Sequence, residues 1–493
     1  MENWLLLLPL FIPLAGVPVT LAFRKNRNVQ PALALAFMLT ALAFTLALLR
    51  TLLTTRQPVT LQMGLWPAPF GITFAADLLG VFMVLMSQLV LAAGLLYATG
   101  STEKVVQYPT FYPLFLALAG GLTGAFLTGD LFNLFVFAEI IVVSGAVLTA
   151  IADDRFGVEA AYKYFYISML ASAFFLLGVG SLYVAYGTLN FADLATRIAA
   201  NPSAPLAMAG LAFLTATFLI KSAAFPFHFW QPDFHAAAPT PVSAMLSSLV
   251  VKQGVYGFFR MTTLLFPDVE LLKTLLVVLG VMGVLYGGFG AAGTHNAKRM
   301  LAYSTLAQVG FILVGIGWGT PLSQAAALVF TFNHALVKAA MLMLAGAMAS
   351  RAPIKSASFE VVVGVGKYHP VAGILFLLGG MALAGIPPLN GFISKLMVFW
   401  SGVDAAQYVP LLIIGLASIL TVIYVIRSFI KIWFEPSAKV KPKAGDRLIA
   451  PALLIVLSLV LGIWAEPLVS LAQSVVAWIG DPALYIAAVL GGG

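Results

Sequence analysis

No cysteine occurs among the 493 residues, which excludes a disulfide framework, thiolate-held zinc and a thiol nucleophile. Charge is nearly as scarce: Asp, Glu, Lys and Arg together make up 9% of the chain, against about 25% in an average soluble domain. Long hydrophilic inserts are missing too, so a soluble domain has no room to form and function must sit inside a membrane-embedded bundle.

What is present is apolar sequence, 61% of all residues. A bilayer crossing takes roughly 20 apolar residues per helix. Runs separated by polar or Gly/Pro punctuation predict about fourteen transmembrane helices, near 2–23, 30–53, 72–99, 109–129, 131–151, 161–186, 205–229, 241–265, 270–293, 300–318, 321–349, 369–400, 407–434 and 448–475. The fold class is therefore an all-α polytopic membrane protein. The first run has Glu2 before it and Arg24, Lys25 and Arg27 after it, the reverse of a signal peptide, and reads as a retained helix.

The net charge of +8 need not signal nucleic acid. Seventeen basic residues fall in odd-numbered loops and adjoining helix ends: Arg24, Lys25, Arg27, Lys104, Arg155, Lys163, Lys298, Arg299, Arg351, Lys355, Lys367, Arg427, Lys431, Lys439, Lys441, Lys443 and Arg447. Five fall in even ones: Arg50, Arg56, Arg197, Arg260 and Lys273. That bias predicts odd loops in the cytoplasm and both termini outside. The run Lys439, Lys441, Lys443 reads as a topology anchor or a contact with anionic lipid.

Four basic residues remain inside predicted spans: Lys221, Lys252, Lys338 and Lys395. Among acids Glu139 alone lies deep in a span, with Asp77, Asp130 and Asp404 near helix ends. A mid-bilayer charge costs roughly 2.5–3.5 kcal/mol on insertion scales, so these groups mark a pathway rather than packing. Desolvation favours a neutral amine and a nearby carboxylate favours the ammonium, so a moving Glu139 could switch a lysine between holding and releasing a proton. Thr217, Ser248 and His334 each stand four residues before a buried lysine, Ser304 and Gln308 share a helix face, and Asn390 and Ser394 adjoin Lys395. Hydroxyls in such helices often only satisfy packing. His334 is the stronger relay candidate, because imidazole titrates near neutrality.

Two spans carry proline breaks, at Pro226, Pro232, Pro239 and Pro241 and at Pro387 and Pro388. Proline frees backbone carbonyls that need protein or water partners within lipid. Broken helices 7 and 12, each with a lysine near its break, predict two inverted five-helix repeats. The expected organisation is an N-terminal three-helix segment at 1–108, repeats at 109–265 and 266–434, and a C-terminal loop and helix at 435–493. Other patterns have plainer readings. Gly364, Gly366 and Lys367 lack the spacing and hydroxyl of a phosphate loop. His228, Asp233 and His235 sit in a Pro-rich break where turn-making is commoner than metal binding, and Gly120 and Gly124 read as a packing face. Nothing calls for a cofactor.

The stretches KSAAFPFHFWQPDFH at 221–235, APTPVS at 238–243, KQGVY at 252–256, NAKRMLAYST at 296–305 with Gln308, and GIPPLNGF at 385–392 with Ser394 and Lys395 resemble the antiporter-like family. That family joins the large subunits of Mrp-type sodium/proton antiporters to the proton-pumping membrane subunits of respiratory complex I. The resemblance spans nearly the whole chain. It implies Glu139 and Lys221 as a first-half pair, Lys252 as the link, His334 and Lys338 as a second-half relay and Lys395 as a terminal proton site, with His228 and His235 as possible polar support. Within the family, TGDLFNLFVFAE at 128–139 is similar to the D-type Mrp subunit. Lys395, where complex I subunits of the M type usually carry glutamate, and His235, which the N type usually lacks, favour the Mrp side. The resemblance implies a hetero-oligomeric membrane complex with A, B, C, E, F and G type subunits, moving protons and sodium. No compact carboxylate cluster for sodium is visible in the spans.

Overall fold

A computed structural model describes residues 2–151, 155–436 and 444–491. Lys439, Lys441 and Lys443, expected to act as an anchor, lie outside these residues. The chain is helical almost throughout. The two strands among the described residues, Val59–Gln62 and Thr73–Ala76, form an antiparallel hairpin with Val59 opposite Ala76.

Nine helices among the described residues are long and apolar enough to cross a membrane, or up to eleven if two sharply bent pairs each count as one. Length and composition therefore do not reach the expected fourteen. Leu8–Ala22, Phe111–Leu127 and Ala207–Lys221 are shorter apolar helices at three of the expected positions. The last expected span, 448–475, is two helices, Ile449–Ile463 and Glu466–Ile479, bent by 78°. Pro467 explains the bend: proline fits the first turn of a new helix but cannot extend the one before it. The connection 187–204 also holds a helix, Phe191–Ala200, capped by the Asn190 side chain and burying Phe191, Leu194 and Ile198.

Burial separates core helices from peripheral ones. The apolar stretches of Thr240–Leu265 and Pro321–Arg351 are wholly buried, whereas those of Val29–Thr55 and Tyr408–Trp433 are 33% and 28% buried. The last two expose rows such as Leu39, Leu46 and Leu53, or Leu412, Leu416 and Ile423. Such rows are stable against lipid or another membrane protein, not water. Of the expected proton-transfer residues, all but Glu139 fall on the two wholly buried helices or at the breaks beside them.

Both breaks are present. Ala207–Lys221 stops, and Gln231–Ala237 resumes after residues 222–230; Pro370–Ala384 stops, and Asn390–Asp404 resumes after Gly385 at φ +81° and the Pro387–Pro388 pair. At Gly391 any Cβ would overlap the Ala382 carbonyl oxygen, so the restarted helix approaches its own first half at a distance only glycine allows. The packing reading of Gly120 and Gly124 also holds: Leu14 and Phe137 press against them.

Thr240–Leu265 is not a uniform α-helix. Wide π turns at Leu246–Val250 and Met261–Leu265 bracket the α-helical stretch Val251–Arg260. Arg260, expected at an outer helix end, is instead 3% exposed and forms a two-pronged pair with Asp77 at 2.7 and 2.8 Å. Asp77 also caps Leu78–Thr99 by accepting from Gly80 N. Tyr256 and Tyr485 lie with their rings 5.1 Å from the guanidinium carbon, which ties the C-terminal helix Pro482–Leu490 to the core.

Candidate functional site

Two of the four lysines, Lys221 and Lys395, occupy positions beside the breaks. Lys221 ends Ala207–Lys221, beside carbonyls that have lost their helical partners and favour a cation. It is 6% exposed, and its Nζ has no hydrogen-bond partner among the described residues. Lys395, 5% exposed, reaches back to the carbonyl of Ala384, the last residue before the second break, at 3.0 Å. Its Nζ also lies 5.4 Å from the centre of the Phe311 ring.

Between the breaks the two wholly buried helices meet. Lys252 Nζ is 2.6 Å from His334 Nδ1, both side chains being almost fully enclosed. One turn further along the same helix, Lys338 Nζ donates to the Leu301 carbonyl at 3.0 Å and to Ser304 Oγ at 2.8 Å. Tyr424 in turn donates to Ser304 at 2.8 Å. A narrow cavity of about 10 Å³, near the minimum for one water, is lined by His334, Gln308, Asn333, Ser394 and Lys395. The Gln308 amide nitrogen has no partner among the described residues. Asn333 donates to Ser394 Oγ at 2.8 Å, Asn390 to Asn333 at 3.0 Å and Ser458 to Asn390 at 2.6 Å, a polar brace that locks the restarted helix to Pro321–Arg351.

Glu139 is half-buried on Leu131–Ala150. It accepts from Ser172 and makes no ion pair with Lys221 in this structure. Ser172, on Arg155–Tyr186, is not singled out by the sequence; its place four residues after Ser168, whose carbonyl lies 2.9 Å from its hydroxyl, is the available signal.

Two supporting residues do not reach their lysines. Ser248, in the π turn Leu246–Val250, donates to the Ala244 carbonyl of its own helix at 2.5 Å and makes no bond to Lys252. Its neighbour Ser247 takes an interhelical contact instead, 2.8 Å from Thr305 Oγ1. Thr217 bonds to backbone carbonyls of Phe213 at 2.9 Å and Ala171 at 3.3 Å. His228 stacks on Phe225 and meets Tyr286 edge-on, while His235 is wholly buried with Nδ1 3.2 Å from Ser243 Oγ and no partner for Nε2 among the described residues. Asp233 is engaged by Arg299 and by Lys163, the latter at 3.5 Å.

A further acidic site is not readable from sequence. Glu103, 2% exposed, lies between Leu78–Thr99 and Phe111–Leu127 and accepts from Thr240 N at 3.2 Å and Thr240 Oγ1 at 2.6 Å, with Lys355 3.4 Å away. It therefore holds the first turn of the helix that carries Lys252. Burial alone would raise its proton affinity, but Lys298, Lys355 and the Thr240 bonds outweigh it and hold the carboxyl below its ordinary range. A depressed carboxyl stabilises the fold above its unfolded-state value and loses that contribution as pH falls through its folded value. The stability gap between the parental protein and Glu103→Gln should thus be full at neutral pH and shrink below about pH 4.3. Thermal unfolding across pH checks this, and a gap unchanged down to the acid limit would refute it.

Residues 128–421 match the family described as NADH:quinone oxidoreductase/Mrp antiporter, TM. The D-type subunit of the Na(+)/H(+) antiporter of Alkalihalophilus pseudofirmus is 32% identical over 496 residues, covering 99% of each chain. The N-type subunit of the NADH-quinone oxidoreductase of Desulforudis audaxviator is 34% identical over 476 residues, 93% of each. Among solved structures, a chain of the Mrp complex from a Dietzia species superposes with a TM-score of 0.90 at 26% identity, covering 100% of both chains. Matched along its length in sequence and in fold, the chain belongs to the NADH:quinone oxidoreductase/Mrp antiporter transmembrane family.

Proposed function

We propose that the chain is the proton-translocating subunit of a multisubunit sodium/proton antiporter in a bacterial plasma membrane. One observation carries the reading: Lys221, Lys252, Lys338 and Lys395 are buried at 6%, 0%, 0% and 5% exposure, and none has a carboxylate within ion-pair distance among the described residues. Four uncompensated ammonium groups cannot be charged together in a low-dielectric core, so protons must be distributed among them. Glu139 sets the occupancy of Lys221, Lys252 passes a proton to or from His334, and Lys338 and Lys395 continue the path along the second half. In this reading the chain comprises an N-terminal segment at 1–108, repeats at 109–265 and 266–434 that each contain one break, and a C-terminal part at 435–493.

The full-length likeness to a D-type antiporter relative supports assembly with A, B, C, E, F and G type partners. Both termini face outward in this reading. In support, Gln62 of the hairpin donates to the Val489 carbonyl and Thr60 to that of Ala488, which places the chain end beside the even loop after the second helix. The 34% identity to an N-type complex I relative favours a second reading, in which the same lysines serve a quinone-linked pump. Expression in an antiporter-deficient bacterium separates the two. Sodium-dependent proton movement in inverted vesicles is expected with the full partner set and not with this chain alone. Exchange by the chain alone would refute obligate assembly, and co-purification with quinone-reducing subunits would establish the second reading.

A further inference from the structure

A groove of about 520 Å³ opens where the loop after the first helix meets the segment leading into Phe111–Leu127. Arg24, Lys25 and Arg27 line one side; Ser101, Gln107 and Tyr112 line the other, and no carboxylate among the described residues lines either. Arg27 is held 3.1 Å from Gln107 Oε1, whereas Arg24 and Lys25 have no ion-pair partner among the described residues. Gln30 joins the two sides, donating to the Pro109 carbonyl at 2.8 Å and to that of Thr20 at 3.1 Å, so the groove has a fixed floor. The Tyr112 hydroxyl makes no hydrogen bond among the described residues, leaving a donor free for an acceptor oxygen.

Beside the groove, the helix Leu8–Ala22 and its C-terminal end expose Phe11, Val19, Leu21 and Phe23 at 36–47%. Three cations and a free phenol beside an exposed apolar flank match a molecule with an anionic oxygen-rich head and hydrocarbon tails. An acidic protein segment would use the cations but not the flank. We propose that this groove binds the phosphodiester head of an anionic phospholipid, with its acyl chains along Leu8–Ala22. The site depends on the chain lying in a membrane and is independent of which ion the protein moves.

The test uses the assembled complex in nanodiscs of phosphatidylcholine with graded phosphatidylglycerol, with bound lipid counted by native mass spectrometry. Arg24→Gln with Lys25→Gln should weaken phosphatidylglycerol binding about 30-fold, since headgroup-level cations contribute ~1 kcal/mol each, and leave phosphatidylcholine unaffected. Because those cations also bias topology, Tyr112→Phe supplies a variant of unchanged charge. Loss of one hydrogen bond predicts about fivefold weaker binding there. Unchanged lipid retention in both variants would overturn the proposal. So would displacement of the lipid by millimolar inorganic phosphate, which would mark a site for the free ion, or a cross-link from Lys25 to an acidic segment of another protein in the complex, which would mark a protein interface.

Discussion

Glu139→Gln, assembled at parental levels, should lower proton exchange by at least about 100-fold, the usual scale for removing a proton-transfer group. Glutamine keeps the size and can still bond to Ser172, but it cannot change the electrostatic field at Lys221. Switching the proton affinity of a lysine by two or three decades takes roughly 3–4 kcal/mol. A carboxylate moving into contact at about 4 Å supplies about 4 kcal/mol at an effective dielectric of 20. In this structure the carboxylate accepts from Ser172 and makes no ion pair with Lys221, as the unpaired position of the proposed switch would have it. Glu139→Asp should keep part of the activity, because the charge persists with a shorter reach. Vesicle exchange assays normalised to assembled complex decide the matter, and parental rates in the glutamine variant would make Glu139 a structural counter-ion.

The second large effect concerns stability. Asp77→Ala strands the Arg260 guanidinium in a site 3% exposed, and breaking a buried pair from one side costs about 3–5 kcal/mol. The same change removes the cap of Leu78–Thr99, worth about 1 kcal/mol. Assembled yield and thermal stability should fall sharply. Replacing both partners with apolar residues of similar volume, Asp77→Leu with Arg260→Met, should recover most of the loss, because neither charge is then left unpaired. A single variant as stable as the parent would show that the pair does not staple the helix to the core.

The buried lysines were legible because the bilayer makes them expensive: a lysine far from either end of an apolar run has few reasons to be there, and all four are buried. The breaks were legible from proline. What escaped were features that depend on local geometry. Arg260 lay near enough to a helix end to count as a topology signal, and only the fold brings Asp77, far away in sequence, to meet it. Ser248 shares a face with Lys252, but no sequence rule shows that its hydroxyl is taken by the Ala244 carbonyl of its own helix. Glu103 was not singled out by sequence, since nothing nearby announces Thr240. The split of the last span was in principle readable from Pro467, which stands inside a run that hydropathy alone treats as continuous.

The 2.6 Å approach of Lys252 and His334 bears on how the proposed relay would pass a proton between them. At that separation the two nitrogens cannot both present hydrogens to each other, so the contact admits a single shared hydrogen. Passing it from amine to imidazole displaces it by under about 1 Å, judged against ordinary hydrogen-bond lengths, and needs no rotation of either side chain. In the proposed relay this contact would be a fixed link carrying one proton, and the side chains free to move would be Lys221 and Lys395, which sit beside the two helix breaks.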